Sequence, residues 1–317
     1  MNTNLFFVQF QKDLKLIENI LENSLSKTMK NNHFHYIKYV LDNNGKQFRP
    51  LISIIIASSY KNISESDYNL FAAIEMIHIA SLLHDDVIDD AELRRGRQTI
   101  NKKWGNNMAV ILGVYAYSNA LALLHKYGDI FLIGYFSKIV RRMCEGELYQ
   151  LDSRMNNDLS LFTYLRIVYC KTACLFSAAF AMGAYVSPIS KKQKKIIKRL
   201  GLKFGFLYQL IDDVLDISDS KNHLKKPPFQ DLKNGQLTLP LIVYMNIAKE
   251  KALDIQELQK LSHEAVIKEF KKYKIIELSK NIIHKKVDNI NNLCDKLESN
   301  KLSTNLKKIQ KLILKRV

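Results

Sequence analysis

LLHDDVIDDAELRRGRQT (residues 82–99) sets four aspartates, Asp85, Asp86, Asp89 and Asp90, among apolar side chains and follows them with Arg94 and Arg95. Read as a helix, the stretch puts Asp85 and Asp89 one turn apart on one face, with Asp86 and Asp90 beside them. Like charges at that spacing weaken a helix by a few tenths of a kcal/mol per pair. Packing them beside Leu82, Leu83, Val87 and Ile88 adds a desolvation cost. A hard divalent cation relieves both penalties, and Mg²⁺ takes one or two carboxylates together with substrate phosphate oxygens. Read alone, the stretch also fits a solvated acidic turn.

The spacing returns in YQLIDDVLD, residues 208–216, where Asp212, Asp213 and Asp216 again sit among apolar residues. Two DDxxD clusters, each on an apolar helix, suggest carboxylates that face one another across a cavity and hold several metals. The rest of the chain reads as helix too. Across 317 residues there are 11 Gly and 5 Pro, with 47% hydrophobic residues. So few turn formers, with many Leu, Ile, Lys and Glu, predict long helices joined by short connections, among them one from Asp67 to Asp89 and one rich in small residues that Lys171–Thr172 begins. No Pro/Ser/Gly-rich linker interrupts the chain, so one all-α domain over residues 1–317 is expected.

The formal charge is +17. A basic excess can serve nucleic acid, anionic membrane or phosphorylated substrates. Here lysine is scattered, and the densest run, KKQKKIIK at 191–198, carries no interleaved aromatics and no nucleic-acid motif. It reads as a solvated helix face, and nucleic-acid binding is not expected. Cys144, Cys170, Cys174 and Cys294 form no CxxC pair and no metal-ligand pattern with histidine, as in a reducing compartment. The N-terminal stretch lacks a signal-peptide pattern, and the apolar run from about Cys174 to Ser187 is too short to span a bilayer. A cytoplasmic location, or an organelle matrix or stroma, is expected, without a transmembrane segment.

Several blocks together resemble the trans-type isoprenyl diphosphate synthases, the polyprenyl synthetase family. They are GKQFRP (45–50), IHIASLLHDDVIDDAELRRGRQT (77–99), GELYQL (146–151), KTACLF (171–176), YQLIDDVLD (208–216) and DLKNGQLTLPLI (231–242). The resemblance implies a helical bundle around a central active-site cavity, mostly in homodimers. Its substrates are isopentenyl diphosphate and an allylic diphosphate such as farnesyl or geranylgeranyl diphosphate. Two or three Mg²⁺ per site are implied, with Mn²⁺ able to substitute.

The resemblance also assigns roles. Lys46, Arg49, His78 and Arg95 hold isopentenyl diphosphate; a helix histidine such as His78, read alone, is more often a core residue. Arg94 falls to the allylic diphosphate, and Gly96 allows the turn that aims both guanidinium groups inward. Asp85, Asp89 and Asp212 take metal, with Asp86 and Asp213 in the same catalytic clusters. Lys171, Thr172 and Gln209 line the allylic pocket and steady the carbocation, Lys171 and Lys226 meet the leaving diphosphate, and the released diphosphate accepts the final proton. Glu147 and Gln150 are expected near metal-bound water, and His84 orients a carboxylate.

The chain departs from the family at two places. Val114 follows Gly113 where an acidic residue is common, with only a structural consequence expected. The pattern GKxxGxDLxEGKxTLP reads here KKPPFQDLKNGQLTLP, so Lys225 and Phe229 replace glycines and Gln236 replaces a lysine. These changes predict slower closure or altered affinity. Product length falls to side chains upstream of Asp85. Short-product enzymes place Phe or Tyr four or five residues before it, whereas this chain has Ser81 and Ala80, with Ile77 and Met76 a turn deeper. Small residues there also serve close helix packing. As a tunnel they predict a long all-trans product, about octaprenyl to decaprenyl, of the kind used for quinone side chains. A geranylgeranyl-type synthase, a class I terpene cyclase and a non-catalytic subunit of a heteromeric synthase are the alternatives. The second DDxxD and Lys46, Arg49 and His78 argue against the cyclase. Intact clusters argue against the non-catalytic subunit. Peripheral membrane contact for product release is a further expectation.

Overall fold

Apolar residues at helical spacing and the scarcity of breakers have the expected result: the protein is all-α. The structure is a computed structural model describing residues 7–26, 33–43, 45, 47–156, 160–217 and 230–316. Lys46, Lys225, Lys226 and Phe229 lie outside the described residues. Among those described, the only strands are Leu93–Arg94 and Arg97–Gln98, an antiparallel pair with Leu93 opposite Gln98 and Arg94 opposite Arg97. The two residues between them, Arg95 (φ 54°) and Gly96 (φ 79°), are both left-handed. A two-residue turn needs this to match the twist of its strands.

The chain divides into two compact units. The first comprises the described residues up to Val140 with Leu175–Gly201 and Leu297–Leu302. Its axis is the helix Glu65–Ile88, opened by a capping box in which Ser64 Oγ accepts the Asp67 N–H and the Asp67 carboxylate accepts the Ser64 N–H. The helix Asn106–Tyr127 packs along it. Beside them lies Phe48–Ala57, whose Leu51 to Ala57 are buried without remainder. Pro50 stands in its first turn, where its missing N–H leaves no helical bond unmade. Within this unit Ser53 Oγ donates to the Ala179 carbonyl at 2.8 Å. An added Cβ on Gly183 would lie 2.8 Å from that same serine's carbonyl oxygen, so two helices touch through backbone.

The second unit comprises Arg141–Cys174, Leu202–Lys296 and Ser303 onward. Its core includes Tyr164, Tyr244 and Phe270, all fully buried, with the Tyr244 and Phe270 rings stacked at 5.2 Å. The segment after residue 242 is helical as expected, in Ile255–Lys260, His263–Lys272, Ile275–Cys294 and Asn300–Leu314.

Three boundaries differ from expectation. The first aspartate helix ends at Ile88, so Asp89 is its C-cap and Asp90 (φ 46°) lies beyond it. Lys171 and Thr172 do not begin a helix. They lie in a π-helical turn, Tyr169–Ala173, inside a run that is helical from Leu161 to Tyr185. That run and Asn106–Tyr127 are each long and apolar enough to cross a membrane, contrary to the reading from the shorter stretch at Cys174. The first is 78% buried inside the protein and the second 39%. Cys170 and Cys174 pack as small hydrophobes, and the Cys174 thiol donates to the Cys170 carbonyl.

Candidate functional site

In the first unit, Asp85 and Asp86 occupy the last turn of Glu65–Ile88, and the Asp89 N–H donates to the Asp85 carbonyl at 2.9 Å. Three carboxylates thus crowd a helix C-terminus, the end where the macrodipole favours cations. Their roles divide. Asp86 is 5% exposed and held by Arg94, whose Nη2 lies 2.7 Å and Nε 2.8 Å from Oδ1. Asp85 and Asp89 are half-buried. Arg94 was expected to face phosphate; here its guanidinium buttresses Asp86. Asn101, which sequence reasoning missed, donates Nδ2 to the carbonyls of Asp86 and Ala91, each at 3.1 Å, and so fixes the chain leaving the helix.

The tight turn at Arg95 and Gly96 is clasped from the other side. Arg95 Nη1 donates to the Asn43 carbonyl at 2.7 Å, and Asn43 Nδ2 donates to the Arg94 carbonyl at 3.3 Å. An added Cβ on Gly45 would stand 2.4 Å from Arg95 Nη2, so a larger residue there would push the guanidinium out of this position. Arg49 lies over the Phe176 ring at 5.0 Å. Burial first, and then the positive charges of Arg49, Arg95 and Arg94, hold the His78 imidazole well below the ordinary histidine range. Three guanidinium charges close enough to act on one uncharged imidazole would suit a polyanion.

His84 lies against the next helix. Its Nε2 is 3.2 Å from the Val110 carbonyl, and an added Cβ on Gly113 would sit 2.2 Å from that nitrogen. Gly113 therefore makes the space for the His84 ring. Val114, the departure beside it, points outward and is 54% exposed. Upstream of Asp85, Met76, Ile77 and Ala80 are buried, and Ser81 is half-buried with its hydroxyl donating to the His78 carbonyl at 2.8 Å.

In the second unit the cluster lies near the end of the helix Lys191–Ile217. Asp213 is 2% exposed and accepts three neutral donors: Tyr164 Oη at 2.6 Å, Gln209 Nε2 at 2.9 Å and the Leu239 N–H at 2.9 Å. Burial outweighs those bonds and pushes its carboxyl up to about 7. Asp216, also buried, accepts the Asp231 N–H at 3.3 Å. Asp212 is more open and is paired with Arg316 at 2.7 Å. Tyr164 and Arg316 carry no motif; only the packing reveals that they hold this cluster.

Thr172 and Gln209 meet in this unit, with Lys171 in the same turn as Thr172. Thr172 Oγ1 donates to Gln209 Oε1 at 2.6 Å, which places a hydroxyl, an amide and the Asp213 carboxyl in one chain of hydrogen bonds. Lys171 Nζ lies 2.6 Å from Glu147 Oε1 and donates to Gln150 Oε1 at 3.0 Å. Glu147 and Gln150, expected near metal-bound water, both hold this lysine. Gly146 permits the contact, since its Cβ would come within 2.7 Å of Cys170 Cβ and 3.1 Å of the Lys171 nitrogen. The π turn supplies the local geometry. One extra residue in a helical turn shifts the side-chain phase, and such turns recur at functional sites.

Among the described residues no three His, Cys, Asp or Glu side chains gather closely enough to hold a metal ion alone. Asp85 with Asp89, and Asp212 in the other unit, offer hard oxygen donors in ones and twos. That suits Mg²⁺, which leaves its remaining positions to water and phosphate oxygens.

The sequence model of the polyprenyl synthetase family matches residues 31–275. Heptaprenyl diphosphate synthase component 2 of Bacillus subtilis is 35% identical over 245 residues, covering 76% of this chain and 70% of that protein. Octaprenyl diphosphate synthase of Escherichia coli is 34% identical over 208 residues, covering 66% of this chain and 64% of that protein. Among solved structures, a decaprenyl diphosphate synthase from Rhodobacter capsulatus superposes with a TM-score of 0.90 at 25% identity, covering 99% of each chain.

Proposed function

The chain belongs to the polyprenyl synthetase family, and on that premise we propose that it is an all-trans polyprenyl diphosphate synthase. It adds isopentenyl diphosphate head-to-tail to an allylic diphosphate such as farnesyl or geranylgeranyl diphosphate. The observation that carries this reading is the gathering of Arg49, Arg94 and Arg95 about an uncharged His78, beside Asp85 and Asp89. A receptor for diphosphate and donors for a hard cation stand in one place.

We assign Asp85, Asp89 and Asp212 to Mg²⁺, or to Mn²⁺ in its place; when bound, the metal neutralises the leaving diphosphate and so eases cleavage of the allylic C–O bond. The other residues bind and orient. Lys46, Arg49, His78 and Arg95 hold isopentenyl diphosphate. Arg94 lies at the allylic diphosphate while buttressing Asp86. Lys171, fixed by Glu147 and Gln150, presents its ammonium to the departing charge, and Lys226 joins it. Thr172 and Gln209 turn oxygen lone pairs toward the developing cation, and Asp213 holds Gln209 in that orientation. The released diphosphate accepts the final proton.

Ala80 and Ser81 set no aromatic ring in the turn upstream of Asp85, which supports a long product, about octaprenyl to decaprenyl, for a quinone side chain. The relatives named for heptaprenyl, octaprenyl and decaprenyl products support the same reading. A geranylgeranyl-type product is the alternative. Val110, Ile111 and Val114 form an exposed apolar ridge on Asn106–Tyr127, and we assign it to a second copy of the chain. A non-identical partner is the other candidate, since one relative is named as a component. The four free cysteines support a reducing compartment, the cytoplasm or an organelle equivalent.

The test is the product profile of purified protein with Mg²⁺, labelled isopentenyl diphosphate and farnesyl diphosphate, beside Ala80→Tyr. Long products that shorten in the variant support both the chemistry and the tunnel. A wild type stopping at about four isoprene units would refute the long product. No product from folded protein would point to a missing partner subunit.

A further inference from the structure

We propose that the first unit docks on an anionic lipid bilayer through Ile130, Phe131 and the lysine run that opens the helix Lys191–Ile217. Ile130 is 82% exposed and Phe131 65%. Neighbouring apolar side chains standing so far out of a protein mark a surface made to meet another apolar phase. The Phe131 ring stacks on Tyr135 at 6.3 Å, which extends the patch along the helix Ile130–Asn156. Isoleucine, phenylalanine and a tyrosine together suit the boundary between acyl chains and headgroups.

Cations stand beside this patch. Lys198 Nζ lies over the Tyr135 ring at 4.9 Å. Lys194 Nζ donates to the Tyr185 carbonyl at 3.2 Å, and Tyr185 Oη donates to Asp129 Oδ2 at 2.7 Å, just before Ile130. Asp129 also accepts the Leu132 N–H at 2.9 Å. That carboxylate thus ties the start of one helix to the end of another and fixes how Ile130 and Phe131 project. Lys191, Lys195 and Lys198 are exposed and recur at helical spacing on one face. They belong to the run KKQKKIIK, whose charge has no part in the synthase reading. Lysine stems can lie along apolar surface while their ammonium groups reach headgroup phosphates.

The patch lies at the end of Glu65–Ile88 away from its aspartates. An added Cβ on Gly128, in the turn before Ile130, would stand 3.3 Å from Leu70 Cδ2. Leu70 and Asp85 are about 22 Å apart along that helix. A product tail leaving Asp85 past Ala80, Ile77 and Met76 heads for this end, where a bilayer would receive it. That use rests on the proposed reaction, whereas the surface rests on its own side chains. The ridge assigned to a second copy, Val110 to Val114, lies about 20 Å back along Asn106–Tyr127 from Tyr127. The two surfaces are therefore separate.

The experiment is flotation of the full chain with vesicles of equimolar phosphatidylglycerol and phosphatidylcholine, beside phosphatidylcholine alone, without substrate or metal. Wild type should bind the anionic vesicles at least about ten-fold more tightly, and the difference should shrink as salt rises. No binding to either would overturn the proposal. The double variant Ile130→Ser, Phe131→Ser should bind about ten-fold more weakly or not at all. Lys191→Gln, Lys195→Gln and Lys198→Gln should each weaken binding about five-fold. Lys271→Gln, Lys285→Gln and Lys286→Gln together remove the charge of three exposed lysines from the second unit and should leave binding within about two-fold of wild type. Equal loss in both triple variants would assign the attraction to net charge and overturn the surface. A double variant that binds vesicles like wild type, yet has lost mass in sedimentation equilibrium, would give the patch to a second copy instead. Product formation in detergent by the double variant should match wild type. A wild type that floats and makes no product would sink the synthase reading alone; one that makes product and does not float would sink the surface alone.

Discussion

The two aspartate clusters share a spacing and differ in what holds them. In the first, the second aspartate, Asp86, is gripped by a guanidinium at 2.7 Å. In the second, the corresponding Asp213 sits among a phenol, an amide and a backbone N–H, all neutral. An ion pair asks for the charge of its carboxylate; a ring of neutral donors asks only for its lone pairs. The same sequence motif has thus been built into an ionic anchor in one unit and a hydrogen-bonding hub in the other. In both, the second aspartate is buried scaffold, and the more open carboxylates are Asp85 and Asp89 in the first and Asp212 alone in the second, where Asp216 is buried too.

The largest expected consequence is opposite pH dependence. Asp213, raised to about 7, keeps a proton in the folded state that the unfolded chain releases near pH 4. Its contribution therefore favours folding below about pH 4, declines as pH rises to about 7 and is flat above, with a slope of up to about 1.4 kcal/mol per pH unit. His78, depressed in the folded state, behaves in reverse: the unfolded chain protonates first, so stability falls as pH drops below about 6.5. Denaturant melts across pH 4–8 should lose the first slope in Asp213→Asn and the second in His78→Gln. Parallel curves for both variants would break the contrast.

Next in size, Asp86→Asn at pH 8 should cost about 3 kcal/mol, because it leaves a largely buried guanidinium without its counter-charge. Asp213→Asn should cost about 1–2 kcal/mol, since one donor loses an acceptor while a disfavoured buried charge disappears. A reversed order would sink the distinction between anchor and hub. Smaller again, Gly113→Ala should lose about 1–2 kcal/mol and activity by driving a methyl into the His84 ring. Gly134→Ala, where the added carbon meets nothing within 4 Å, should be neutral or stabilising by up to about 1 kcal/mol. Smallest of all, Arg316→Ala should change stability by less than about 1 kcal/mol, because both partners of that pair are about one-third exposed. Removing this internal cation should tighten Mg²⁺ binding at Asp212, measured by calorimetry.

Much of this was legible in the chain. Period and the scarcity of Gly and Pro predict the helices, and Asp85, Asp86 and Asp212, Asp213 and Asp216 stand on them as the reading of each stretch as helix implies. The grouping of Lys171 and Thr172 with Gln209 also follows from the motifs. What stayed hidden depends on long-range packing. A lone tyrosine in LFTYLRIV gives no sign that Tyr164 caps Asp213, and nothing near Asp212 points to Arg316. The hold of Glu147 and Gln150 on Lys171, one helix away, was equally beyond the reach of the motif. The end of the first cluster's helix was overestimated because the apolar period continues to Ile88, while the left-handed Asp90 and the Arg95–Gly96 turn obey local backbone preferences that the period does not carry.

The π turn at Tyr169–Ala173 has a mechanical meaning. A helix advances about 100° per residue, so one surplus residue leaves the flanking stretches out of step by that angle. Leu161–Val168 keeps its packing face, Cys174–Tyr185 keeps its own, and the mismatch is concentrated where Lys171 and Thr172 stand. The turn works as a spline between two shafts, letting each seat in its own socket while the chemistry rides on the joint. Excising one residue there would straighten the helix and force one shaft to rotate, so this short stretch tolerates substitution far better than deletion.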